Sequence, residues 1–372
     1  MIETRFQARS QSRYATINAL GVLDNPNLCA SPEAAVADAA DVDTLGYVSG
    51  TRSIDARALA DARSAGLSAV NITLGHVAGS GDAFCETVRD ITGWNAFVAG
   101  RADALRRVLG VADIAAAADA GQVGVIFGFQ NTEMLGRELD RVRLFAKMGV
   151  RVIQLTYNGR NAVGDGATVP DDQGLTRFGA EVVERLQHEG VLVDLSHSSE
   201  KTCLDALALA QRPVAITHSA CRAVADHPRN KSDAELRLLS ERGGVVGLYF
   251  MPYLRLAGQP MAADLIAHLE HAIDVCGEDH VGLGTDGGTT AHDDMTAYRR
   301  RLEDEVALRR ALGIGAPGES ADVATFLPDL CGPTQFLRLA DLLAARGHAD
   351  ARIEKILGGN FRRLMTQAWA HH

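Results

Sequence analysis

The chain is 372 residues long with 47% apolar and 23% charged residues, an ordinary globular composition that excludes a disordered or fibrous protein. Thirty-seven basic against 47 acidic residues give a formal charge of −10, so there is no global basic footprint for nucleic acid or an anionic membrane, and a small-molecule partner is expected. The six cysteines (Cys29, Cys85, Cys203, Cys221, Cys276 and Cys331) lie far apart without a C-x-x-C pair, which speaks against a disulfide framework or a structural zinc knot.

At the amino end, MIETRFQARSQSRYATINAL has charges but no apolar core of signal-peptide length. No later segment reaches the roughly 18 uninterrupted apolar residues of a membrane span, so a cytoplasmic protein is expected. Valine- and isoleucine-rich runs then alternate with stretches of helical period. The predicted strands are ATINALGV (15–22), SAVNITL (68–74), QVGVIFGF (122–129), RVIQLTY (151–157), VLVDLSH (191–197), PVAITHS (213–219), GVVGLYF (244–250) and HVGLGTD (280–286). IDARALADARSAG precedes the second strand. ELDRVRLFAKMG, FGAEVVERLQHEG and SEKTCLDALALAQ fill the gaps between the third and sixth, and DAELRLLSERGG and DLIAHLEHAIDVCG the next two. Eight strand-plus-helix units match a (β/α)₈ TIM barrel. An open doubly wound sheet usually carries G-x-G-x-x-G after its first strand, and here that turn reads GVLDNP. A single barrel domain over 1–372 is expected, with a loop-rich insertion at 24–53 and a helical tail from about 316 packed on the outside.

In such a barrel the reactive groups sit at the carboxyl ends of strands. The fifth predicted strand ends in Asp194-Leu195-Ser196-His197, the sixth in Thr217-His218-Ser219 and the eighth in Gly284-Thr285-Asp286-Gly287. Each residue alone reads as a hydrogen-bonded strand end. Two imidazoles and a carboxylate on converging exits instead suggest a polar centre able to take a zinc ion. Arg229, in AVADHPRNKSD, has the planar fork to clamp a substrate carboxylate, or sits in a loop ion pair. Gln130 and Tyr157 end the third and fourth strands, with Asn158 adjacent, as candidates for catalysis and substrate contact or as plain rim residues. Cys203 and Cys221 follow the two histidines and read as buried structural thiols in helix-like segments. No G-x-S-x-G elbow, Walker loop or H-E-x-x-H helix appears.

Six stretches together resemble the renal or membrane dipeptidase family of barrel-shaped zinc peptidases within the amidohydrolase group. They are GVRVIQLTYNGRNAVGDG (149–166), GLTRFGAEVVERLQHEGVLVDLSHSS (174–199), RPVAITHSACRAVADHPRNKSDAEL (212–236), GGVVGLYF (243–250), HVGLGTDGG (280–288) and ILGGNFRRLM (356–365). The resemblance implies a metal-dependent barrel, usually homodimeric, that hydrolyses dipeptides and related amides. It places His197 and His218 on the histidines of the second zinc, Arg229 on the arginine that holds the substrate carboxylate, and Asp286 on the aspartate that handles the proton of the attacking water. Leu20 and Val22 fall where the family carries the His-x-Asp ligands of the first zinc. Gln130 falls on the bridging glutamate and Tyr157 on a substrate-binding histidine.

Leucine and valine cannot ligate, and a neutral amide bridges two cations poorly, so a bimetallic centre is not expected. The ligand set for one zinc is His197, His218 and either Asp286 or Gln130, with Glu133 and Asp24 as possible substitute acids. The expectation is a divergent, mononuclear hydrolase acting on a dipeptide or another small carboxylate-bearing amide, ester or lactone. Asp286 would be the base, Arg229 the carboxylate clamp, Gln130 or Tyr157 the oxyanion donor, and Tyr157 and Asn158 substrate contacts. The rival readings are a metal-independent lyase or isomerase on the same barrel, and a non-catalytic binding protein.

Overall fold

The computed structural model describes residues 14–28 and 53–370. Cys29 and most of the loop-rich stretch expected at 24–53 lie outside the described residues. The strands are β1 (Thr16–Asn18), β2 (Leu67–Thr73), β3 (Leu105–Arg107), β4 (Val123–Phe129), β5 (Val150–Gln154), β6 (Leu192–Asp194), β7 (Ala215–Ser219), β8 (Val245–Leu248) and β9 (Val281–Leu283). Eight of them follow one another in the order β1-β2-β4-β5-β6-β7-β8-β9, and every pairing is parallel. The remaining one, β3, pairs only with β4 and was not expected, because Leu-Arg-Arg has neither an apolar run nor alternation.

The path nearly closes on itself. Ala19 N–H donates to Leu283 O at 2.9 Å, Asp286 N–H to Leu20 O at 3.0 Å, and the Asn18 amide brackets Thr285 on its backbone N–H and hydroxyl, both at 2.8 Å. The architecture is the expected (β/α)₈ barrel. Its helices are α1 (Ala56–Ser64), α2 (Ala83–Gly100), α3 (Val111–Asp119), α4 (Asp140–Lys147), α5 (Arg177–His188), α6 (Glu200–Leu209), α7 (Asp233–Glu241), α8 (Ala262–Cys276), α9 (Met295–Ala311), α10 (Gln335–Ala345), α11 (Asp350–Glu354) and α12 (Asn360–Ala368).

Side chains alternate across each strand, so two cores form. Outward-facing Val70, Ile72, Val125, Phe127, Ile153 and Val193 pack against the helices, with Trp94 of α2 edge-on to Phe127. Inward-facing Ala69, Ile126, Val152, Leu192, Ala215 and Val245 form a separate apolar layer at the barrel floor. The tail was expected outside the barrel. Instead its last helix, α12, enters that layer with Phe361, Leu364, Met365 and Ala368, followed by Trp369. Gly282 makes this possible, because a Cβ there would stand 2.6 Å from the Phe361 ring.

One layer above the floor the inward residues turn polar: Asn71, Gln154, Asp194 and Thr217, all buried. Most buried polar groups are hydrogen-bonded, and here the amide nitrogens of Asn71 and Gln154 are, while their amide oxygens have no partner among the described residues. Asn71 donates to Ala19 O at 2.9 Å and Gln154 to Thr156 O at 2.7 Å. Gly247 of β8 and Gly284, just past β9, face the carbonyl oxygen of Thr217 so closely that a Cβ on either would overlap it. Only glycine fits at either position. This polar layer is the platform of the mouth above it.

Candidate active site

His218 stands on β7, and His197 lies three residues beyond the end of β6. Both rings are buried, and their Nε2 atoms approach to 2.9 Å. The other nitrogen of each ring is already engaged. His197 Nδ1 is 2.7 Å from Asn158 Oδ1, and the Asn158 amide nitrogen donates to Ile314 O at 2.7 Å, which fixes the amide's orientation. His197 therefore carries its proton on Nδ1 and leaves Nε2 bare. His218 Nδ1 is 2.9 Å from Thr217 Oγ1. Burial, and then the positive charge of Arg229, push both imidazoles well below the ordinary histidine value, so both are neutral at pH 7.

Tyr157 lies flat on His197, with ring centroids 4.2 Å apart and planes 20° apart. Its hydroxyl accepts from Arg309 Nη1 at 3.1 Å. Burial raises the phenol's pKa, and Arg309 pulls it back down. Arg229 is buried, donates from Nη1 to Ser196 O at 2.6 Å, and is oriented through its own N–H to His227 Nδ1 at 3.1 Å. Asp286, just past β9, has a φ of 56° and is the one non-glycine residue with positive φ among the described residues. Aspartate tolerates this left-handed conformation better than most residues. Burial lifts its carboxyl to about 6, with Arg229 and Arg309 holding it from going higher.

A second group of contacts covers the mouth. Arg309, on α9, pairs with Glu319 through two bonds of 2.7 Å. Glu319 also accepts from Tyr253 at 2.8 Å, and His227 Nε2 lies 2.9 Å from Pro317 O. With Ile314 on Asn158, the stretch 309–319 is tied to the exits of β5, β7 and β8. Sequence reading found no pattern here, since α9 buries only Tyr298, Leu302 and Arg309.

The structure thus brings together His197, His218, Tyr157 and Arg229. Among the described residues no three His, Cys, Asp or Glu side chains converge closely enough to hold an ion, so Asp286 does not complete a ligand triad with the two histidines. Asn158, expected at the substrate, has both ends of its amide committed and orients His197 instead. Gln130 donates its amide to Thr73 Oγ1 at 2.7 Å. Leu20 is buried among the apolar residues and carries no ligating atom. Of the substitute acids, Glu133 is half exposed and faces His76 at 3.3 Å, while Asp24 is raised by burial and lies beside the backbone of Gly288.

Cys203 is buried in α6. Cys221 is not helical but forms a bridge with Lys231 after β7, and burial drives both thiols upward, away from the reactive thiolate. Asp194, Thr217, Arg309 and Glu319 went unassigned in the sequence. The only available signal was the placement of Asp194 and Thr217 at strand exits just before the histidines.

Residues 52–312 match the family described as membrane dipeptidase (Peptidase family M19). Among curated relatives, dipeptidase tcpJ of Claviceps purpurea is 32% identical over 252 residues, covering 67% of this chain and 52% of the relative. Dipeptidase verJ of Clonostachys rogersoniana is 32% identical over 169 residues, covering 45% and 44%. The chain spans about half the length of the curated relatives it matches. Among solved structures, an amidohydrolase from Pseudomonas aeruginosa superposes with a TM-score of 0.74 at 26% identity, covering 96% of this chain and 97% of that one. A metallo peptidase from Rhodobacter sphaeroides, liganded with a phosphinate mimic of the dipeptide L-Ala-D-Ala, shares the fold with a TM-score of 0.72 at 20% identity over 96% and 100%. No helix among the described residues is long and apolar enough to cross a membrane.

Proposed function

The chain belongs to the membrane dipeptidase family, and from that premise we propose that it is a hydrolase of a small carboxylate-bearing amide, ester or lactone, with room for one metal ion rather than two. The observation that carries this reading is the convergence of His197 and His218 at 2.9 Å beneath Tyr157 and beside Arg229. Two nitrogens each about 2.0–2.1 Å from one zinc lie roughly 3 Å apart, so the pair suits a single ion. Gln130 is the candidate for a third ligand. Leu20 and Val22 supply nothing for a second ion. The positive field of Arg229 and Lys231, which helps keep both imidazoles neutral, also opposes a dication, so weak binding is expected.

When bound, such an ion supplies a water whose pKa falls toward about 7. The chain's own residues do the rest. Asp286, with a carboxyl near 6, is ionised at neutral pH yet basic enough to take a proton from the attacking water. Arg229, locked by Ser196 O, offers the remainder of its fork to a carboxylate. Because Arg309 donates into the Tyr157 oxygen, the phenol's own hydrogen is directed elsewhere and can serve a developing oxyanion.

The same replacement of ligands at positions 20, 22 and 130 favours a second reading, metal-independent lyase or isomerase chemistry on this barrel. Full activity after exhaustive chelation would select it.

The test is a panel of dipeptides, N-acyl amino acids, carboxylate-bearing esters and lactones, each paired with its carboxamide analogue, given to metal-replete protein. Turnover of carboxylate members is expected. Arg229→Met should raise their KM by about 10- to 100-fold, the worth of a charged hydrogen bond, while the carboxamides are unaffected. No turnover of any member, or equal turnover of acids and amides, contradicts the proposal.

A further inference from the structure

We infer that Glu319, by occupying the Arg309 fork, leaves the mouth one carboxylate clamp and restricts the substrate to a single carboxylate with an uncharged far end. The inference rests on the reading of Arg229 as that clamp. Two arginines reach the centre of the mouth. Arg229 donates from Nη1 to Ser196 O at 2.6 Å, and among the described residues it pairs with no carboxylate. Arg309 donates from Nη1 to the Tyr157 hydroxyl at 3.1 Å, and the Tyr157 ring lies on His197. Against the upward push of burial, both arginines draw the Asp286 carboxyl down, so both charges are felt at one point. A substrate held at Arg229 and reaching across the histidine pair to Tyr157 therefore ends beside Arg309.

The two arginines differ in what they can still bind. Arg309 gives Nε to Glu319 Oε2 and Nη2 to Glu319 Oε1, both at 2.7 Å, the paired geometry that a second substrate carboxylate would need. The two side chains are only 10% and 14% exposed, so solvent screens the pair little. Glu319 does not depend on the arginine for its place. Its Oε1 also accepts from Ala316 N–H, within its own turn, and from the Tyr253 hydroxyl, both at 2.8 Å. An anionic end would find Glu319 where it needs to sit, and a cationic end would meet Arg309. The matched pair thus selects by repelling both signs of charge. Removing either partner leaves the other's charge facing the mouth.

The test is binding, by NMR titration at neutral pH, of valerate, glutarate and δ-aminovalerate, with shorter and longer homologues of each. The three share a carboxylate and a chain length, differ in the charge of the far end, and have no scissile bond. Wild type should bind glutarate no more than about threefold tighter than valerate. Glu319→Gln should raise the affinity for glutarate relative to valerate by about 10- to 100-fold, the worth of a charged hydrogen bond. Arg309→Met, which leaves the carboxylate in place, should instead raise δ-aminovalerate relative to valerate by about tenfold. A general loosening of the cover would move all three ligands alike, so opposite shifts separate charge from damage. The Arg309 variant carries the test if Glu319→Gln does not fold. Unchanged preferences in the folded variants, shifts towards the same ligand, or a wild type that already favours glutarate by about tenfold overturns the inference. If Arg229→Met binds valerate as well as wild type does, the Arg229 reading fails. Glu319→Gln should then still gain affinity for valerate through Arg309, and no gain overturns the inference too.

Discussion

Asp286→Asn should lower kcat/KM by about 10²- to 10⁴-fold, the usual contribution of a general base, while making the protein more stable at neutral pH. The two effects have one cause. The Asp286 carboxyl is raised from the ordinary 3.8 to about 6 by burial, so the folded state resists ionisation that the unfolded chain undergoes freely. Below about pH 4 both states are protonated and the carboxyl costs nothing. As pH climbs from about 4 to 6 the unfolded state loses its proton first, and stability falls. Above pH 6 the full penalty is present, on the order of 2 kcal/mol once the side chain's partial exposure is allowed for. Asparagine avoids the penalty and is among the few residues at home in the left-handed conformation that position 286 adopts. Urea unfolding at pH 7.5 and pH 4 reads the stability change, expected at the first and absent at the second. The wild-type acid limb of kcat/KM should have an apparent pKa near 6 and disappear in the variant. Undiminished activity, or equal stability changes at both pH values, would remove Asp286 from its role.

Phe361→Ala should destabilise the fold by about 3–5 kcal/mol, the range for truncating a fully buried aromatic ring. Phe361 is buried in the apolar layer that α12 shares with the barrel floor, and it sits against Gly282, where no side chain can refill the space. The substitution lies at the end of the barrel opposite the mouth, so the folded fraction should retain its affinity for zinc. A loss below about 1 kcal/mol would mean that the floor collapses around the cavity, contrary to the close packing argued for it.

Parallel strands covered on both faces read as near-continuous valine and isoleucine runs, which is why all eight strands of the barrel path were legible. The strand β3 was not, because its sequence Leu-Arg-Arg lacks that signature. His197, His218, Arg229 and Asp286 were legible because strand exits are where a barrel places its chemistry. Their support was not. Arg309 meets Tyr157 across 152 positions of sequence, and Asn158 reaches Ile314 across 156. Such contacts are set by the path of the chain over the mouth, and no local period encodes them. Asn158 shows the difference most directly. Its position beside Tyr157 suggested a substrate contact, whereas its two amide ends are spent on His197 and the covering segment. The same limit hid the floor role of α12, whose apolar face looks from sequence like any helix packed on the outside of a barrel.

The central claim is that this site takes one metal ion on His197 and His218. It is tested most directly by elemental analysis of protein purified without added metal or chelator, then incubated with excess zinc and desalted, alongside His197→Ala and His218→Ala. A measurable zinc content that does not exceed one per wild-type chain, and none in either variant, is expected. Two zinc ions per chain, none after incubation, or one that survives in both variants would contradict it.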